Sequence, residues 1–237
     1  MSVRHRENFD LGRYISDETK IKQGRGTGTG PDYLSWIMSR EFNSKGTATA
    51  IPDWKHGRMI QCLSQAESWF YYKMRWNDRV VDIREQFPLL PLSETTEIAS
   101  MLNTKGSFNN RVVMTTDFLI TMDDGTETAL TIKAGRADVT PRVNELLNIE
   151  REYWRRRGVN YFIGYKEDLN QIEIMNIRYA VACYKKESVF DEISLARYLV
   201  ANKIIEVDMT KPLDYKELIK FLEKETLWIK AKSELVP

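Results

Sequence analysis

Cysteine and histidine are scarce in this chain: among 237 residues only Cys62, Cys183, His5 and His56 occur. Two cysteines are too few for a zinc site or a disulfide framework. They read as reduced, partly buried thiols of a cytoplasmic protein. The histidines have no partner at ligand spacing and read as surface residues. No apolar run approaches ~18 residues, so no membrane span is expected. The start, M1-S-V-R-H-R6, lacks the apolar stretch of a secretory leader. An excess of one charge is also missing, since 35 Lys+Arg against 34 Asp+Glu leave a formal charge of +1. A chain that passively coats nucleic acid is far more basic. A protein that holds a divalent ion with carboxylates and meets phosphates with local basic patches can stay near neutral, so the charge balance leaves DNA binding open. There is no internal repeat and no low-complexity tract. The 42% of hydrophobic residues suffice for a core, and 29% charged residues give ordinary solvation. The length fits one large domain or two modest ones.

The pattern along the chain predicts α/β organisation. Residues 1–60 are polar, with the glycine-rich run G24-R-G-T-G-T-G30. Residues 61–76 read as a helix with Leu63, Ala66, Phe70 and Met74 on one face. Val80–Phe87 reads as a strand ended by P88-L-L-P91, and 92–110 as a polar connection. Val112–Thr121 and Glu127–Ala134 read as a β-hairpin. Thr140-Pro141 opens a helix with a cap and a first-turn proline, lined by Val143, Leu146, Leu147 and Trp154 and closed by Gly158. Val159–Tyr165 is a further strand. The order, αβββαβ, is that of a restriction-endonuclease-like mixed-sheet core. Beyond residue 166, helices at Ile172–Lys185, Ser194–Asn202 and Asp214–Glu225, with strands at Ile204–Met209 and Leu227–Lys232, suggest a small winged-helix-like α+β domain. The expected division is therefore 1–166, with 1–60 as a DNA-contact region, and 167–237.

Three separated residues carry the chemistry. Glu67 lies in the first helix, Asp117 in V112-V-M-T-T-D-F-L-I120, and Lys133 ends T128-A-L-T-I-K133. An acid on one strand and a lysine on its neighbour is the pattern of metal-dependent nucleases. Carboxylates hold Mg²⁺ or Mn²⁺, and the ammonium orients the attacking water. Register decides whether the pattern is real. A two-residue loop Asp124-Gly125 pairs 117 with 132 and points Lys133 away. A three-residue loop Asp123-Asp124-Gly125 pairs 117 with 131 and makes Lys133 its same-face diagonal neighbour. Gly125 stands at the third, left-handed position that such loops require, so the second register is expected. Asp117 in an apolar strand is costly unless paired or metal-bound. Plainer readings stand beside these: Ser64 and Glu67 form a capping box, and Lys133 is a salt-bridge partner of Asp117. Thr131, two positions before the lysine, takes a place usually held by an acid or glutamine ligand; the carbonyl of Ile132 is a further candidate ligand. G24-R-G-T-G-T-G30 lacks the Gly-Lys-Ser/Thr of a phosphate-binding P-loop and follows no strand. It reads as a surface loop or as a DNA-phosphate cradle built from Gly24, Arg25, Gly26 and Gly28. R155-R-R157 reads as a solvated helix end suited to the macrodipole, with DNA contact as the alternative.

G24-R-G-x-G-x-G-x-D-Y-x-x-W36, D82-I-R-E-Q-F-P-L-L-P91, T116-D-F-L119 and E150-R-E-Y-W154 together resemble the TnsA family, endonuclease subunits of heteromeric bacterial transposases, over roughly residues 20–165. The resemblance implies a restriction-endonuclease-like catalytic domain followed by a winged-helix-like domain. It implies cutting of the 5′ ends of a transposon while a DDE transposase subunit, TnsB, processes the 3′ ends, and contact with an AAA+ regulator, TnsC. By position it assigns catalysis to Glu67, Asp117 and Lys133, and metal binding to Glu67, Asp117 and Thr131, with the Ile132 carbonyl kept as the further candidate ligand named above. Arg84, within the D82–P91 signature, joins the glycine loop as an expected DNA contact. The threonine at 131 departs from the family pattern and opens a rival reading, a nuclease fold kept as an assembly scaffold. A stand-alone nuclease is a third reading, against which the D82–P91 run speaks.

Overall fold

The computed structural model describes residues 15–41 and 48–236, so His5 and the start of the chain lie outside it. Contacts divide the chain into two units between Asp168 and Leu169.

In the first unit a short helix α1 (Asp17–Lys22) precedes an antiparallel hairpin of β1 (Thr49–Pro52) and β2 (Met59–Cys62). Helix α2 (Gln65–Trp76), strand β3 (Val80–Pro88) and helix α3 (Leu92–Met101) follow. Then come β4 (Thr115–Met122), β5 (Glu127–Lys133), helix α4 (Pro141–Arg156) and β6 (Asn160–Tyr165). The sheet order is β3-β4-β5-β6, antiparallel except for the parallel pair β5-β6. From α2 onward the first unit carries the expected αβββαβ order with one addition, while Gln61 and Cys62, expected to open the helix, end β2 instead.

The addition is α3, which replaces the polar connection expected over 92–110. Its threonines made the segment look solvated, yet Thr95 and Thr96 donate their hydroxyls back to the Leu92 carbonyl at 3.0 and 2.9 Å. Satisfied inside the helix in this way, Thr95 is buried together with Ile98 and Ala99. Ile98 and Ala99 join Leu89, Leu119, Ala129, Ile149, Tyr153 and Trp154 in the core between the sheet and α4. On the other sheet face α2 sits very close to β6, where a Cβ on Gly164 would stand 2.6 Å from the Phe70 ring. Only glycine admits that approach.

The hairpin β4-β5 takes the register that brings the two charged residues together. Phe118 faces Leu130 and Thr121 faces Glu127, a spacing that continues to 117 opposite 131. Gly125, at φ 80, donates to Met122 O, and Met122 N donates to Thr126 O, closing the three-residue loop. Helix α4 begins as expected, with Thr140 Oγ1 accepting from Val143 N at 3.3 Å.

The face of α2 differs from its predicted stripe. Ala66, Glu67, Tyr71 and Arg75 are buried, while Phe70 and Met74 are only partly covered. Two charged residues head the inward face because each finds hydrogen-bonding partners there.

The second unit contains α5 (Gln171–Val181), α6 (Glu192–Ala201), α7 (Tyr215–Leu222) and α8 (Thr226–Leu235). Among its described residues there is no strand, which corrects the winged-helix-like α+β expectation. Leu227–Lys232, expected as a strand, lies in α8, and its buried pair is Trp228 and Ala231, three apart, the helical spacing. Residues 204–209 form no regular element. No helix of the described residues is long and apolar enough to cross a membrane.

Candidate active site

Glu67 is fixed by the start of α2. Ser64, the N-cap, accepts from Glu67 N at 3.1 Å and donates its hydroxyl to Glu67 Oε1 at 2.9 Å. Leu63 N donates to Glu67 Oε2 at 2.7 Å. The Ser64 cap is formed, and it holds the carboxylate in one orientation. A third donor is Gln86 Nε2, 3.1 Å from Glu67 Oε2. Gln86 sits in β3 between the pairs Glu85↔Phe118 and Phe87↔Thr116, hence beside Asp117. Its φ of 49 is left-handed for a non-glycine residue, a conformation that costs of order 1–3 kcal/mol and persists where surroundings enforce it. The side chain is fully buried and also accepts from Thr115 Oγ1 at 3.4 Å.

Asp117 is 3% exposed. Its Oδ2 accepts from Ile132 N at 2.6 Å, just past Phe118↔Leu130, the last paired residues of the two strands. No cation stands within ion-pair distance of Asp117 among the described residues. Lys133 likewise makes no ion pair there; its Nζ donates to the Ile132 carbonyl at 3.2 Å. The salt bridge that would have explained both residues structurally is therefore not formed.

Thr131 turns its hydroxyl to Glu150 Oε2. Glu150, on α4, is 6% exposed. The same oxygen accepts from Tyr161 Oη at 3.2 Å and lies 3.5 Å from Thr116 Oγ1. No role had been derived for Glu150 from its sequence, although a signal was present. With Val143, Leu147 and Trp154 it occupies positions i+7, i, i+4 and i+11 of the apolar stripe, where an acid is out of place without a purpose.

Two buried groups register how the acids gather. Burial pushes the Cys62 thiol up, and the charges of Glu67, Glu85 and Asp117 push it further. Burial raises the Tyr161 hydroxyl, with Glu150 and Asp117 adding to the effect. Asp117 thus lies within electrostatic reach of both the Glu67 side and the Glu150 side. Among the described residues no three His, Cys, Asp or Glu side chains form a metal cluster by themselves. The donor atoms are oxygens, and a buried carboxylate with no cationic neighbour is what a divalent ion compensates. Carbonyl oxygen and water would complete its shell.

The residues expected to contact DNA have partners within the chain. Arg25, 4% exposed, makes a bidentate pair with Glu41 at 2.7 and 2.8 Å and donates to Gln23 Oε1 and Trp36 O. Gly26 and Gly28, at φ 75 and 87, serve close packing: a Cβ on Gly26 would stand 2.3 Å from the Pro88 ring, and one on Gly28 2.5 Å from Asp32 O. The glycine run thus wraps the end of β3, and Gly24 turns the chain into it at φ 70. Arg84 is held across three strands by Asp82 at 3.5 Å, Thr121 at 3.0 Å and Glu127. The charges of Arg155, Arg156 and Arg157 are met by Glu152, Glu97 and Glu94.

Residues 77–165 match the family described as TnsA-like endonuclease N terminal. The chain is also similar to the Transposon Tn7 transposition protein TnsA of Escherichia coli, 36% identical over 178 residues, 73% of this chain and 64% of that protein. The chain therefore spans a little under two thirds of the length of that relative.

Proposed function

The chain is TnsA-like, and from that premise we propose that it is the metal-dependent endonuclease subunit of a heteromeric transposase, hydrolysing phosphodiester bonds at the 5′ ends of the transposon. One observation carries the reading. Asp117 and Lys133 lie on neighbouring strands with opposite charges, and neither is neutralised by an ion pair among the described residues. A fold that keeps both charges unspent holds them for a substrate and an ion.

Glu67, Asp117 and the Ile132 carbonyl would hold the cation, with the Thr131 hydroxyl at its edge. The chemistry supplied by a bound Mg²⁺ or Mn²⁺ is activation of water and stabilisation of charge on the phosphoryl oxygens. Asp117, tied to Ile132 N, keeps its remaining oxygen directed by the backbone. Glu67 is immobilised by its cap and by Gln86. Lys133 presents a fixed positive charge that orients the attacking water and favours hydroxide. Glu150, linked through Thr131, supplies from α4 the negative charge that threonine lacks at 131. Products would carry a 5′-phosphate and a 3′-hydroxyl. A DDE transposase subunit of the TnsB type would choose the ends, and an AAA+ regulator of the TnsC type would complete the assembly.

The rival scaffold reading rests on Thr131 alone. Excision in a reconstituted reaction, read separately on each strand with the chain present or omitted, separates the two. Loss of only the 5′-strand cut on omission supports the enzyme; loss of assembly with no 5′ cut in either case supports the scaffold. Gln86→Leu removes the donor to Glu67 and puts a slightly larger apolar side chain in its place. It is expected to slow 5′-strand cutting by about 10–100-fold, the usual effect of losing a group that orients a metal ligand. Single-turnover rates at saturating Mg²⁺, beside thermal melting of the same sample, check it.

A further inference from the structure

We propose that Lys166 positions a backbone phosphate of the DNA strand beside the cutting site, a role that rests on the nuclease reading above. Lys166 follows β6 directly, and its neighbour Tyr165 pairs with Lys133, one strand spacing of about 4.8 Å away. Its ammonium lies 4.2 Å from the centroid of the Trp69 ring and donates to Gln65 Oε1 at 2.6 Å. Gln65 and Trp69 stand two residues before and two after Glu67 on α2. Lys166 is therefore tied to the site twice, through the strand that flanks Lys133 and through the helix that carries Glu67.

Its charge is available. Arg25, Arg84, Arg136, Arg155, Arg156 and Arg157 are each paired with a carboxylate. Lys166 makes no ion pair among the described residues; its partners are an amide oxygen and an aromatic face. Cation–π seating on tryptophan fixes an ammonium without neutralising it, and of its three N–H donors one goes to Gln65. Two remain for an outside acceptor. Nearby Arg136 also stacks on an aromatic ring, Tyr165, at 4.4 Å, but Glu167 and Asp168 already hold it. A point charge set on an indole next to a phosphodiester-cutting centre suits a phosphate oxygen of the duplex. Such a contact fixes the register of the strand and carries no sequence information.

The test uses the full chain and a short DNA duplex, with binding measured over a series of salt concentrations. Lys166→Gln is expected to bind several-fold more weakly on every sequence tried, with the salt slope lower by about 1, the signature of one lost phosphate contact. Lys166→Arg should restore both. Gln65→Glu provides an independent route, because it places a carboxylate against the ammonium without touching the lysine; it too should lower the slope. In the reconstituted cutting reaction KM should rise in Lys166→Gln more than kcat falls. An unchanged slope in both Lys166→Gln and Gln65→Glu overturns the proposal. Asp117→Asn, run alongside, separates the two levels. If it is inactive while the Lys166 variants bind as the native chain does, the nuclease stands and the positioning role falls. If it cuts normally, the nuclease reading falls first.

Discussion

Asp117→Asn is expected to reduce 5′-strand cutting by at least about a thousandfold while leaving the fold as stable as before, or more so. The amide keeps an acceptor for Ile132 N, so the hydrogen bond that shapes the site survives. What disappears is a buried negative charge that no cation neutralises among the described residues. Removing an uncompensated buried charge relieves a folded protein. Removing a carboxylate ligand from a metal-assisted hydrolysis forfeits several kcal/mol of transition-state stabilisation, and about 4 kcal/mol corresponds to a factor of a thousand. The opposite signs are the useful feature: a residue serving structure alone would lose stability when changed. Strand-resolved cutting and a thermal melt on one preparation read both. Lys133→Met is expected to behave alike, since its ammonium rests on a single carbonyl.

Asp53→Ala is expected to have the largest effect on folding. Asp53 lies between β1 and β2, and its carboxylate meets Arg75 of α2 through two bonds, 2.9 Å to Nε and 2.8 Å to Nη2. The pair is fully inside, with side-chain exposures of 0% for Arg75 and 1% for Asp53. Arg75 also donates to the carbonyls of Val80 and Val81, so one guanidinium joins the hairpin, α2 and β3. Removing the acid leaves a buried cation without its partner, which costs roughly 3–5 kcal/mol. At about 2–4 °C per kcal/mol for a chain of this size, the melting midpoint should drop by roughly 6–20 °C. Replacing both partners, Asp53→Leu with Arg75→Met, should cost clearly less, because no charge is stranded. Urea denaturation of the two variants checks the difference. The consequence for function is indirect: α2 carries Glu67, and a loosened clamp lets that carboxylate wander.

Much of the scaffold was legible in the sequence because simple constraints fixed it. A glycine at the third loop position forced the β4-β5 register, and with it the neighbourhood of Asp117 and Lys133. Thr140 and Pro141 announced α4 through the orphan N–H groups they leave or cap. What escaped reading was polar chemistry turned inward. The threonines of α3 concealed a core helix by bonding to their own backbone. Nothing around Arg25 in the sequence announces its pairing with Glu41, which stands sixteen residues away in sequence and opposite it in space. Arg84 is claimed the same way by Glu127, across two strands. Glu150 hid in a helix stripe, and its meaning appears only when Thr131 is seen bonded to it. In the second unit a final strand was expected at Leu227–Lys232, but burial of Trp228 and Ala231 follows the helical period. A residue's partner across the fold, which no local pattern encodes, decided each of these cases.

Glu67, Asp117 and Lys133 are the proposed phosphodiester-cutting site. The most direct measurement is a single-turnover reaction of the native chain and Asp117→Asn, each assembled with its transposase on DNA labelled at both strands of the transposon end. Mg²⁺ starts the reaction, and the new ends are sized and tested for a 5′-phosphate. The proposed site predicts a Mg²⁺-dependent 5′-strand cut by the native chain and none by Asp117→Asn, with equal 3′-strand processing in the two. A 5′-strand cut of equal rate in both would contradict it.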